Sequence, residues 1–99
     1  MSTPTTPAKV RMVGLDLQEN DDSRAIVEAI EEDNEGVAVS RMPGLVRVQC
    51  PQRLVINQAS VERHLGRPWE TQEFQLSIVS YFGHINDWDD DQVVVAWDH

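Results

Sequence analysis

Four aspartates, Asp87, Asp89, Asp91 and Asp98, fall at positions 1, 3, 5 and 12 of a twelve-residue count, the spacing with which a helix–loop–helix motif offers oxygen ligands to calcium. Position 6 of that count is Gln92, where the sharp turn requires glycine, and positions 7 to 11 form the apolar run Val93 to Trp97. No helix pattern flanks the segment. It therefore reads as a solvated acidic hairpin loop, and no metal site is expected. His64, His84 and His99 are far apart and none belongs to an HxxxH-type pair. Ser23, Ser40, Ser60, Ser77 and Ser80 lack the strand–turn–helix context that exposes a nucleophilic hydroxyl. Gly14, Gly36, Gly44, Gly66 and Gly83 are isolated near element ends, so no loop cradles a phosphate. No pair of carboxylates stands out from the general acidity for acid–base work. Neither catalytic nor cofactor-binding residues are expected.

The lone cysteine, Cys50, excludes an internal disulfide and any cluster held by four thiolates. It ends the strand pattern Val46, Val48, Cys50, where a buried structural thiol is the plain reading. The net charge of −9 argues against nucleic acid and against an anionic membrane surface, both of which are met with Lys and Arg. The eight basic residues are scattered. Such a chain is steered toward basic surfaces, which points to a protein partner. No apolar run approaches the roughly 18 residues of a membrane span. Met1 to Lys9 is Pro/Thr-rich and lacks the pattern of a secretory signal, so a flexible tail on a cytoplasmic protein is expected. With 99 residues and 40% apolar content, residues 10–99 are expected to form one domain.

Val10 to Leu17 opens as a strand, and the turn-prone Glu19 to Asp22 leads into a helix with Ala25, Ile26, Ala29 and Ile30 on one stripe. Asn20 to Ser23 offers N-caps, and Asn34 with Gly36 supplies a stop. Val37 to Arg41 and Leu45 to Cys50 flank Met42-Pro43-Gly44 and predict a hairpin. Leu54 to Ile56 is a short strand or a lead-in to a second helix, capped by Asn57, with Ile56 and Val61 as a staple. Val61 and Leu65 form its stripe, Arg63 and His64 suit its negative end, and Gly66 and Pro68 stop it. Phe74 to Phe82 and Val93 to Trp97 read as the last strands, joined by Asn86 to Asp91. The expected order is β-α-β-β-(β)-α-β-β, an α+β fold with two helices packed on a largely antiparallel sheet. Its expected core is Ile26, Ile30, Val61 and Leu65 against Val46, Val48, Phe74, Leu76 and Ile78.

Two features exceed what folding needs. In the strand from Phe74, the inward positions Phe74, Leu76 and Ile78 alternate with Glu73, Gln75 and Ser77, yet the outward positions then become Val79 and Tyr81. Either a partner protein or a second layer of the same domain covers them. At the end of the first helix Glu31, Glu32, Asp33 and Glu35 crowd the negative pole, each unfavourable by roughly 0.3–1 kcal/mol when close to the last turn. This is either a solvated surface or a face for a basic partner.

The stretches "VGLDLQENDDSRAIVEAIEEDNEGVAVSRMPGLVRV", "LGRPWETQEFQLSIVSYFGHI" and "DDDQVVVAW" resemble the regulatory (effector or coupling) component of bacterial multicomponent di-iron monooxygenases. The resemblance spans residues 10–98. It is most diagnostic where the Ala29-Ile30 helix runs into Asp33-Asn34, at Leu65-Gly66-Arg67, and in the strand ending at Gly83. The acidic stretch before the last strand looks most like the phenol hydroxylase branch. The resemblance implies a protein without metal, flavin or iron–sulfur centre. Its partner would be the large hydroxylase component, and its role to tune O2 activation, substrate access and the coupling of electron transfer to aromatic hydroxylation. It also implies that Ser77, Val79, Ser80, Tyr81, Phe82 and Gly83 lie against the hydroxylase. From its charge, the acidic helix end, Glu31, Glu32, Asp33 and Asn34, is expected to be a further partner face. Tyr81 and Phe82 are bulkier than some relatives carry. The alternatives are an acidic protein-binding adaptor or another non-catalytic component of an oxygenase system.

Overall fold

The computed structural model describes residues 11–97. The expected tail Met1 to Lys9, together with Val10 and Asp98, lies outside the described residues. The chain folds into two antiparallel sheets and their helices. The first sheet has the order β2-β3-β1-β5 and the second β4-β7-β6.

Strand β1 (Met12–Gln18) is central in the first sheet, with Val13, Leu15 and Leu17 wholly buried. β2 (Ala38–Met42) and β3 (Leu45–Pro51) form the expected hairpin: Met42 faces Leu45 across Pro43-Gly44, and Gly44 takes φ +76. Along β3, Val46, Val48 and Cys50 point into the core, and the Cys50 thiol donates to the Arg53 carbonyl at 3.0 Å. β4 (Arg53–Asn57) turns the chain into the second sheet beside β7 (Gln92–Ala96). β7 is buried from Val93 to Ala96, as suits the central strand of three.

Helix α1 (Asp21–Asp33) starts at a reciprocal cap: Asn20 Oδ1 accepts from the Ser23 amide at 2.8 Å, and Ser23 Oγ accepts from the Asn20 amide at 2.9 Å. Its expected stripe of Ala25, Ile26, Ala29 and Ile30 is buried. At its end the Asn34 side-chain amide donates to the Ile30 and Val55 carbonyls, both at 2.9 Å, and accepts from the Val55 amide at 2.9 Å. It thus pairs with the free edge of β4 as a strand residue would. Helix α2 (Gln58–Leu65) packs on α1 and β4, and Gly66 closes it in the left-handed conformation at φ +77. Asn57 precedes α2 as expected, but its side chain donates to Asp33 Oδ2 at 3.0 Å instead of capping the helix.

Three expectations are corrected. Residues Phe74 to Ser77 are not strand: Thr71–Glu73 makes a 3-10 turn that passes into a short helix α3 (Phe74–Ser77), and β5 begins at Ile78 (Ile78–Phe82). With helical spacing, Thr71, Phe74 and Ser77 share the buried side and Leu76 points away, 78% exposed, so Leu76 leaves the core list and Ser77 enters it. The link Asn86 to Asp91 holds most of a further strand, β6 (His84–Trp88), paired with β7. The expected α+β fold of antiparallel strands and packed helices holds, with its strands divided between two sheets. Leu65 and Ile78 sit half-buried at the core margin, while Trp69, absent from the expected core, is 1% exposed.

Candidate functional site

Among the described residues β5 pairs with β1 alone, so it is an edge strand whose outer ladder is free. Of the large apolar side chains exposed among these residues, Leu76 (78%), Val79 (54%) and Tyr81 (48%) fall within six positions. Scattered exposed apolar residues need no explanation, but Val79 and Tyr81 on a free strand edge, with Leu76 just before it in α3, are apolar exposure of the kind that marks interaction surfaces. Val79 and Tyr81 are thus exposed as expected, but Tyr81 is not on the outward face: it pairs with buried Leu15 and is exposed because β5 is an edge strand.

The alternation along β5 is broken by a bulge. Leu17 faces Ile78 and Asp16 faces Ser80, which leaves Val79 without an opposite residue. Beyond it Ser80 and Phe82 share the outer face with Asp16 and Gly14, while Tyr81 sits opposite Leu15. Phe82, an inward residue by the simple alternation, therefore lies on the outer face.

That outer face carries an ionic cluster. Asp16 is 7% exposed and receives the Arg47 fork, with Nε on Oδ1 at 2.8 Å and Nη2 on Oδ2 at 3.0 Å. The Ser80 hydroxyl donates to Oδ2 at 3.0 Å. The Arg47 guanidinium lies over the Phe82 ring, 5.5 Å from its centre. The ring occupies the space above Gly14, where a Cβ would come within 2.6 Å of Phe82 Cζ and also strike the Val48 carbonyl. The Arg47 hydrogen bonds hold the Asp16 carboxyl below its usual pKa; burial opposes them and the Ser80 bond assists.

Gly83 joins the two sheets at φ +118, a conformation that a side chain opposes, and an added Cβ would meet Val13 and Val95 Cγ1, each at 3.0 Å. Beside this corner Trp97 donates through Nε1 to the Met12 carbonyl at 2.9 Å and meets His84 edge-on, with ring centres 5.3 Å apart.

The acidic helix end belongs to another region. α1 packs on α2 and β4, whereas β5 packs on β1. Glu32 accepts from Arg63 Nη2 at 2.7 Å and lies 2.9 Å from His64 Nε2, and these partners lower its pKa, His64 foremost. Asp33 binds Asn57. Only Glu31 and Glu35 of the crowded carboxylates are exposed without a side-chain hydrogen bond among the described residues.

Of the sequence candidates, Val79, Ser80, Tyr81, Phe82 and Gly83 are adjacent on one strand and its corner. Ser77 is 4% exposed, which corrects its outward assignment: it faces the interior because α3 is helical. The Asn34 amide is occupied by β4, and Glu32 and Asp33 by α2 and its cap, so the acidic group splits into internal ties and free charges. Sequence reasoning missed Leu76, because its segment resembled a strand. It also missed Gly14, Asp16 and Arg47, whose links to β5 run between distant parts of the chain, Asp16 and Ser80 standing 64 positions apart.

Among the described residues no group of three or more His, Cys, Asp or Glu is placed to hold a metal ion. No helix among them is long and apolar enough to cross a membrane. Asp89 Oδ1 accepts from the Asp91 and Gln92 amides, a turn that orders the acidic loop.

A model of the MmoB/DmpM family matches residues 11–96. The chain is similar to the stimulatory component DmpM of phenol 2-monooxygenase from Pseudomonas sp. (strain CF600), at 36% identity over 86 residues covering 87% of this chain and 94% of that protein. It superposes on a chain from a solved phenol hydroxylase–regulatory protein complex with a TM-score of 0.82 and 39% identity, covering 89% of this chain and 100% of the other. The soluble methane monooxygenase regulatory protein B shares the fold at a TM-score of 0.68 and 17% identity, covering 96% of this chain and 71% of that one.

Proposed function

We propose the function of this chain from the family to which it belongs, the MmoB/DmpM family, whose members matched above are stimulatory or regulatory components of monooxygenases and not catalytic subunits. The chain is a cytoplasmic, cofactor-free effector that binds the di-iron hydroxylase of a multicomponent phenol- or toluene-type monooxygenase. It tunes O2 activation, substrate access and the coupling of electron transfer to aromatic hydroxylation. The observation that carries this reading is the likeness, along nearly the whole domain, to a phenol hydroxylase stimulatory component.

An effector without chemistry of its own acts through binding energy. It must bind one hydroxylase conformation more tightly than another, since equal affinity for both would shift neither population. The docking face is β5 and its corner: Val79 and Tyr81 in contact, Ser80, Phe82 and Gly83 shaping the backbone behind them. Its apolar exposure on a free edge supports this placement. Glu31 and Glu35 add charge that draws the complex together.

The test is aromatic hydroxylation by the complete oxygenase system with and without the chain. Addition should raise the turnover rate and the product formed per reducing equivalent consumed. Unchanged rate and coupling, at concentrations that saturate any binding, would reject the effector role.

A further inference from the structure

We infer that Arg47, anchored by Asp16, is a positioning residue for docking: from β3 it fixes the register in which β5 presents Tyr81 and Val79. The inference rests on the reading of β5 as the hydroxylase-facing strand.

Among the described residues β5 has one neighbouring strand, and its ladder is interrupted at Val79. A strand so attached is free to slip, and a slip of one residue moves every side chain to the opposite face. Such a slip would put Tyr81 where Ser80 or Phe82 now lies. Two contacts oppose it, one on either side of Tyr81. Ser80 Oγ is hydrogen-bonded to Asp16 Oδ2 at 3.0 Å, and the Phe82 ring is held between the Gly14 backbone and the Arg47 guanidinium. Both rest on the same forked bridge, at 2.8 and 3.0 Å, which fixes the carboxylate plane that Ser80 meets and the guanidinium that covers the ring.

Stability alone does not account for this cluster. A largely buried carboxylate bears a desolvation cost, and apolar residues of similar volume commonly stabilise a fold as well or better. What an apolar pair lacks is direction. The fork is planar and accepts one arrangement, which suits a strand whose register matters more than its strength.

The experiment uses the full chain with the intact hydroxylase and reductase. It compares Arg47→Met, Arg47→Lys and Ser80→Ala with wild type, with Arg41→Met as a control for lost charge and Tyr81→Ala as a control for docking. Hydroxylase affinity, coupling and amide hydrogen exchange are read well below the melting temperature. Arg47→Met should weaken binding roughly tenfold, a size typical of coupled neighbours. It should speed exchange in β5 while Val93 to Val95 in β7 keep their protection. Arg47→Lys, which keeps the charge and loses the fork, should stay weakened, and Arg41→Met should not differ from wild type. In the double variant, Arg47→Met should add little to Tyr81→Ala. Wild-type affinity and coupling in Arg47→Met and Arg47→Lys, with Tyr81→Ala still weakened, overturns the positioning role alone. Wild-type affinity in Tyr81→Ala as well overturns the docking reading beneath it. Should Arg47→Met fail to fold, Arg47→Lys and Ser80→Ala decide the matter by the same measures.

Discussion

Asp16 is a buried acid on the outer face of a sheet, and its protonation state reports on the cluster around it. Arg47 first, then Ser80, favours the charged form, and burial opposes them. The folded pKa therefore lies below the value of about 3.9 for an unfolded aspartate. A group shifted in this direction contributes stability in full above the unfolded pKa and loses it as pH falls through the folded one. Denaturant unfolding from pH 7 to pH 2 should show wild type losing stability below about pH 4 more steeply than Asp16→Asn, which should be less stable at pH 7. Curves of equal slope would remove Asp16 from the acid response. None of this was legible in the chain, where Asp16 and Arg47 stand 31 positions apart and Asp16 resembles any polar residue of an alternating strand. The local signals were legible: Asn20 and Gly66 do at the helix ends what their types suggest, because caps and left-handed turns are decided within a few residues.

At the scale of elements, α1, α2 and the β2–β3 hairpin follow from periodicity and turn chemistry, and residues 70–77 do not. Phe74, Leu76 and Ile78 alternate as in a strand, but the preceding Glu70-Thr71-Gln72-Glu73 acts as a helix start. The Glu73 carboxylate accepts from the Glu70 amide at 3.0 Å, and the Glu73 amide donates back to the Glu70 carbonyl at 2.8 Å. A short apolar run satisfies both periods, and the cap decides between them. The helical assignment has a direct consequence. Phe74→Ala should lower stability by about 3–5 kcal/mol, since the ring is wholly buried and meets Trp88 edge-on at 5.6 Å. Leu76→Ala should stay within about 0.5 kcal/mol of wild type, as exposed positions do. Equal losses in thermal or denaturant melts would restore the strand. Tyr81→Ala belongs with Leu76→Ala in stability. Truncating a central interface aromatic costs about 2 kcal/mol or more, which is roughly thirtyfold in hydroxylase affinity. A folded Tyr81→Ala with wild-type affinity would move the contact elsewhere.

For the whole molecule, a net charge of −9 on 99 residues is a long-range property that the sequence states outright, while its division into useful and internal charge is not. Asp22 bonds Arg67 at 2.9 Å, Glu32 meets Arg63 and His64, and Asp33 holds Asn57, so part of the acidity fastens α1 to the α2 region. Glu31 and Glu35 remain exposed, and their field extends about 8 Å at physiological ionic strength. Charges that steer a partner raise the association rate and its dependence on salt, with little effect on dissociation. The variant Glu31→Gln/Glu35→Gln should therefore associate with the hydroxylase more slowly, with a shallower salt dependence and an unchanged dissociation rate. Its melting temperature should hold or rise, because two charges leave the negative pole of α1. Glu32→Gln should show the opposite division: the melting temperature falls as Arg63 and His64 lose their partner, while association slows little more than one lost charge requires. Stopped-flow association at two salt concentrations beside thermal melts separates the cases. An association rate for Glu31→Gln/Glu35→Gln equal to wild type at low salt would assign these carboxylates to solvation and leave steering to the remaining charge of the molecule.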